Sequence, residues 1–175
     1  MLMNQVKQGE LGSAAILFER YQVSIYNFFF RLSGDLEESK DLTQSTFHRI
    51  LKYRKSFKER HTFRSWIFKL ARNQFYDSYR KSKNRKSYFQ DSEEDFNELP
   101  DREDYSKQRD HRELEDALRQ LPDDYRELII LSKYQGLKYE EIAKVVGSSK
   151  GAIKMKTHRA MLKLREVFYE ERTVS

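Results

Sequence analysis

The chain has 175 residues, 38% of them hydrophobic and 14% aromatic, enough for compact cores. It has no run of about 18 apolar residues, and its most apolar window, Ile25 to Leu32, is interrupted by Asn27 and Arg31, so no membrane insertion is expected. Zero cysteines exclude disulfides and thiolate metal sites, and the histidines at 48, 61, 111 and 158 have no ligand-like spacing, so neither metal nor cofactor is expected.

The net charge of +6 is unevenly spread. Residues 1–90 carry a net +10, residues 91–116 a net −8 and residues 117–175 a net +4. Two basic blocks around an acidic one suit two nucleic-acid-facing modules joined by a segment that avoids phosphate. The opening MLMNQVKQGE has no signal-peptide apolar core, so a cytoplasmic location is expected.

Residues 1 to about 33 read as helices. Ala14, Leu17, Phe18 and Tyr21 make one apolar stripe, and Ile25, Phe28, Phe29 and Leu32 another. Gly34-Asp35 breaks the pattern, and Asp35 with Glu38 has the form of a capping box. The helix that follows, about Leu36 to Tyr53, can turn Leu42, Phe47, Ile50 and Leu51 to a core. Glu38, Asp41, Gln44 and Arg49 remain as a polar surface, which by residue type alone is an ordinary solvated face.

A basic and aromatic loop then leads into a helix from about Thr62 or Phe63 to Lys81. The stripe taken as its inner one starts with Trp66 and Leu70 and continues with Asn73 and Asp77. Its polar end either satisfies buried backbone groups, the favoured reading, or lines a polar pocket. Phe57, Phe63, Phe68, Phe75, Tyr76 and Tyr79 alternate here with Lys58, Arg60, Arg64, Lys69, Arg72, Arg80 and Lys81. Stacking platforms among phosphate-attracting cations are the chemistry of single-strand binding, although Phe63, Trp66 and Phe75 also suit a core.

From Ser82 to about Lys107 helical periodicity fails, and the segment is expected to be a flexible acidic linker. The pattern returns with Leu114, Ala117, Leu118 and Leu121, and Pro122 is placed to end that helix and begin the next. After Gly136, Tyr139 to Val146 forms a short helix, Gly147 supplies a turn, and Ser148 or Ser149 can cap a last helix starting near Lys150. On that helix Ile153, Ala160, Leu164 and Val167 share one stripe, leaving Lys154, Met155, His158 and Arg159 outward. Seven Lys or Arg and no acid lie between Ile142 and Arg165. A short helix, a glycine turn and a basic helix make a helix-turn-helix suited to a DNA major groove. The expected fold is all-α: two small helical domains, 1–82 and 109–175, joined by a linker over 83–108.

In this order the chain resembles the extracytoplasmic-function sigma factors of bacterial RNA polymerase. FERY (18–21), DLTQSTF (41–47) and FRSWIFKLARNQFYDSYR (63–80) look like the family's domain 2. LPDDYRELIILSKYQGLKYEEIAKVVGSSKGAIKMKTHRAMLKLRE (121–166) looks like its domain 4. The resemblance implies that the surface of Glu38, Asp41, Leu42, Gln44 and Phe47 docks on the clamp helices of the polymerase's largest subunit. It implies a −10 reader in Phe57, Lys58, Arg60, His61, Phe63, Asn73, Tyr76 and Arg80, with Asn73 at the edge of a flipped base. It implies −35 readers in Lys154, Met155, His158 and Arg159, with Lys150, Lys156 and Lys163 as phosphate contacts. Ser45 stands where the family usually has Glu, and the loop reads KERHT without the usual glycine. The partners implied are core polymerase, promoter DNA and an anti-sigma protein, with no catalytic residue. A stand-alone helix-turn-helix regulator is the alternative. An enzyme acting on nucleic acid has no carboxylate pair or metal cluster by spacing.

Overall fold

A computed structural model describes residues 2–83 and 105–174. Among them are eight α-helices and no strand. The first four are α1 (Leu2–Gln8), α2 (Leu11–Ser33), α3 (Leu36–Lys52) and α4 (Phe63–Lys83). The second four are α5 (Tyr105–Arg119), α6 (Asp123–Ile129), α7 (Tyr139–Val146) and α8 (Lys150–Val174). Helix α5 starts inside the stretch expected as linker, where no glycine or proline between Asp101 and Leu121 interrupts it. The remainder of that stretch lies outside the described residues, apart from Lys83 at the end of α4.

Local chemistry sets the boundaries. Helix α2 ends where Gly34 takes φ 74° and its amide reaches the Phe30 carbonyl, a left-handed cap that a side chain would strain. Asp35 then caps α3, its carboxylate accepting the Glu38 amide at 2.8 Å. The Asp35 amide donates to the Ser33 hydroxyl at 3.2 Å, so Glu38 is not the acceptor that the capping box predicts. Thr62 caps α4 by accepting the Ser65 amide at 3.1 Å. The Pro122 carbonyl accepts the amides of Tyr125 and Arg126 and opens α6. After Ile129 the helix widens to a π turn over Ile130–Tyr134, which the sequence pattern does not reveal. Gly147, at φ 78°, turns the chain between α7 and α8, and the Ser149 hydroxyl accepts the Ala152 amide.

In the amino-terminal module α2 packs on α3 and α4. Ile25, Phe28, Phe29, Ile67, Phe68 and Ala71 are wholly buried, and Phe28 meets Phe68 edge-on at 5.4 Å between centroids. Each such aromatic contributes roughly 1.5–3 kcal/mol by leaving water. The inner face of α4 is therefore Phe63, Ile67, Phe68, Ala71, Gln74 and Phe75, which corrects the inner stripe expected from Trp66. Gln74 is the polar member. Its Nε2 donates to the Leu42 carbonyl at 3.1 Å and its Oε1 accepts the Thr46 hydroxyl at 3.2 Å, tying α4 to α3.

In the carboxy-terminal module the expected stripe of α8 is buried at Ile153, Ala160, Leu164 and Val167. It packs with Leu118 of α5, Leu128 and Ile129 of α6, and Ile142 and Val145 of α7. The two modules are also packed on each other, with α7 lying against α4. Glu141 of α7 accepts the Thr62 hydroxyl at 2.8 Å, and Arg64 of α4 donates to the Gln135 carbonyl. Arg31 of α2 pairs with Glu115 of α5 at 3.1 Å and lies 4.2 Å from the centre of the Tyr134 ring. At the heart of the contact, Arg72 of α4 meets Glu127 of α6 at 2.7 Å.

Candidate nucleic-acid and polymerase interfaces

The outward face of α8 is built as expected. Lys154, Met155, His158 and Arg159 are all exposed, with Met155 at 56%. Lys154 and Arg159 have no acid partner among the described residues. The three expected phosphate contacts differ: Lys150 pairs with Glu140, Lys156 with Asp124 at 2.6 Å, and Lys163 with Glu166 at 3.0 Å. A hydrogen bond from Lys156 holds the Asp124 carboxyl below its ordinary value, despite some desolvation. The face thus separates free cations at its centre from cations already neutralised at its rim.

The loop before α4 is held from beneath by α1. Lys7 donates to the Phe57 carbonyl at 2.9 Å, and Asn4 donates to Glu59 at 2.6 Å. Phe57 plugs the module, 1% exposed and 5.4 Å from the Trp66 ring centre, and Phe63 is buried beside it. These two side chains shape the loop from inside and present no surface to a nucleic acid, a correction to their expected role as contacts. Lys58 and Arg60 are exposed, and His61 is half-buried.

Trp66, Leu70 and Asn73 line a cavity of about 330 Å³ with Lys58, Arg60, His61 and Lys69. Asn73 is exposed at its wall, so this member of the polar end lines a pocket rather than satisfying buried backbone, while Asp77 lies outside the cavity lining. Tyr76 is half-buried and donates to Glu127 at 3.3 Å, which takes it away from the cavity in this arrangement. Arg80 is exposed and pairs with Asp77 one turn earlier.

On α3, Asp41 and Gln44 are exposed and Glu38 is half-buried. Burial, then the Asp35 charge, raises the Glu38 carboxyl above its ordinary value. Phe47 is partly covered by Phe18 of α2, edge-on at 4.8 Å. Leu42 is 7% exposed and supports this surface from within, a correction to its expected role as a contact.

Comparison with known proteins agrees with this geometry. Residues 17–85 match the family model of Sigma-70 region 2, and residues 111–164 match that of Sigma-70 region 4. The chain is 31% identical over 170 residues to the RNA polymerase sigma factor CarQ of Myxococcus xanthus, covering 96% of each chain. It is 32% identical to the ECF RNA polymerase sigma factor EcfG of Rhodopseudomonas palustris, covering 83% of this chain and 80% of that one. The chain belongs to the extracytoplasmic-function sigma factors.

A solved relative is the sigma factor RpoE of Bartonella quintana in complex with the anti-sigma factor NepR. It is 26% identical with a TM-score of 0.75, covering 89% of this chain and 96% of that chain. This sigma factor has no helix among the described residues that is long and apolar enough to cross a membrane.

Sequence reasoning missed the residues that hold the sigma modules together. Arg72 and Arg64 read in the sequence only as members of a cationic run, and nothing there singles out Glu141. Glu127 alone carried a signal: it stands directly before Leu128 and Ile129, on the side of α6 that packs. Its partner, more than fifty positions away, has no local signature.

Proposed function

We propose that this sigma factor carries bacterial core RNA polymerase to promoters by reading the −35 duplex with α8 and an unpaired −10 strand with α4 and the loop before it. The observation that carries the reading is the exposed α8 face of Lys154, Met155, His158 and Arg159, whose central cations are unpaired among the described residues. Lysine and arginine there can bond guanine O6 and N7, and Met155 can pack on a thymine methyl. On α4, the Asn73 amide at the cavity wall would meet the edge of a flipped base, with Lys58, Arg60 and His61 towards the backbone. Asp41, Gln44 and Phe47 of α3 would dock on the clamp helices of the polymerase's largest subunit. All of this takes place in the cytoplasm, and no step asks the chain for bond-making chemistry.

The two promoter elements lie about 25 base pairs apart, about 85 Å along B-form DNA. Each module has a radius of gyration of only about 12 Å. With α7 packed on α4 the readers cannot span that distance, so docking on core polymerase must separate them. The relative solved with an anti-sigma factor supports such a protein as a further partner, one that would keep the chain from the polymerase.

The test is reconstituted transcription with the purified chain, core polymerase and a genomic fragment library. Start sites that need both protein components, and that share two upstream elements, are the expected result. Sequence-specific binding by the chain alone without core-dependent starts would replace this reading with that of a stand-alone regulator.

A further inference from the structure

The cavity above the Trp66 face of α4 is built by both modules. Trp66 and Leu70 form its apolar floor and Asn73 its amide wall, while Lys144 reaches it from α7. Lys58, Lys69 and Lys144 have no acid partner among the described residues. Among the described residues Arg60 donates to the His61 ring, at 3.3 Å, and to no acid. Glu141, on the same helix as Lys144, is already engaged by the Thr62 hydroxyl and the Lys138 amide. Packing the modules therefore gathers Lys58, Arg60, Lys69 and Lys144 around one opening, against their mutual repulsion. His61 registers that field. Partial burial, then Arg60, Lys144, Lys69 and Lys58, hold its imidazole below the ordinary value.

An anion among these side chains would remove the repulsion. An indole floor with an amide at its edge adds stacking and hydrogen bonding for a base. The volume, about 330 Å³, is at the small end of ordinary ligand sites. We propose that the packed form of this chain binds a free nucleoside 5′-phosphate here, its base on Trp66 and Asn73 and its phosphates among Lys58, Arg60, Lys69 and Lys144. Because Lys144 is contributed by α7, occupancy ties the carboxy-terminal module to α4 and favours the packed form. The inference shares Asn73, Lys58 and Arg60 with the promoter reading and adds Lys144 and the packing of the modules, so either can fail without the other. A base of single-stranded DNA offers the same chemical groups. Lys144 separates the two sources, because it lies at the cavity only while the modules are together.

Calorimetric titration of the full chain with GTP, ATP, inorganic triphosphate and a short single-stranded DNA tests this, with emission of Trp66, the sole tryptophan, as a local reporter. The expected result is saturable binding of at least one nucleotide, clearly tighter than inorganic triphosphate, and weakened about tenfold by Lys144→Ala. Arg72→Met, which separates the modules, should weaken nucleotide binding in the same direction. Equal affinity for inorganic triphosphate would reduce the site to a charge patch and overturn the proposal. So would nucleotide affinity indifferent to Lys144→Ala. Binding of the DNA alone, with no nucleotide saturating at millimolar concentration, would mark a strand site only.

Discussion

Glu127 of α6 is 2% exposed and accepts Arg72 Nε from α4 at 2.7 Å, while the Tyr76 hydroxyl approaches its second oxygen at 3.3 Å. A carboxylate of the carboxy-terminal module is thus buried under α4 of the amino-terminal module. Burial raises its pKa, and the Arg72 charge with the hydrogen bonds from Arg72 and Tyr76 offsets only part of that. Burial, then the Glu127 charge, pushes the Tyr76 phenol well above its ordinary value.

Removing either partner of this pair is not equivalent. Arg72→Met leaves the buried carboxylate alone, at a cost of about 3–5 kcal/mol to the packed arrangement. Glu127→Gln keeps an oxygen for Arg72 and removes the charge, so packing should persist. Small-angle scattering is expected to show a larger radius of gyration for Arg72→Met and an unchanged one for Glu127→Gln. Equal expansion of both would mean that the ion pair, rather than burial of the charge, governs closure.

The same residue predicts a pH dependence. Its carboxyl is raised in the packed form, so packing takes up a proton between the ordinary glutamate value of 4.5 and the raised value. Closure should weaken as pH rises through that window, then level off. Amide exchange in α4 and α7 between about pH 4 and about pH 8 reads this, and Glu127→Gln should flatten it. Asp124, held low by Lys156, has the opposite sign, but its partner lies within the carboxy-terminal module.

On α8, Lys154→Ala with Arg159→Ala should abolish −35-dependent transcription and leave core binding intact. Both side chains are exposed and neither supports the fold. A pull-down with core polymerase beside a run-off assay distinguishes the outcomes, and lost core binding would contradict this division of labour.

Asn73→Ala should impair −10 recognition with little effect on −35 binding. One lost amide-to-base contact is worth about 1–3 kcal/mol of discrimination. Transcription from a set of −10 variants is the readout, and an unchanged ranking would remove Asn73 from the site.

Thr46→Val tests the tie between α3 and α4. Thr46 is fully buried, and its hydroxyl lies 2.8 Å from the Leu42 carbonyl and 3.2 Å from the Gln74 oxygen, so its loss takes a donor from these buried acceptors. The expected cost is about 1–3 kcal/mol. A thermal melt should show a lower midpoint, and a double change with Gln74→Leu should recover part of it.

Sequence alone determined the helices, their order and the outward face of α8. Those features are local: a stripe repeating every three or four residues, a capping Asp35, and glycines at 34 and 147 where only a left-handed turn fits. The family was legible for the same reason, since its motifs are runs of neighbouring residues. Tertiary structure decided which face of α4 is inner, because that helix is covered on two sides and Trp66 and Phe63 carry equal hydrophobic signal. It also buried Phe57, and it placed Leu42 and Phe63 in the core that their residue pattern allowed rather than on the contact surface that the resemblance implied. The joining of Glu127 to Arg72, and of Lys144 to the Trp66 cavity, depends on partners more than fifty residues apart. No periodicity encodes such pairs, because they exist only once separate helices share one interior.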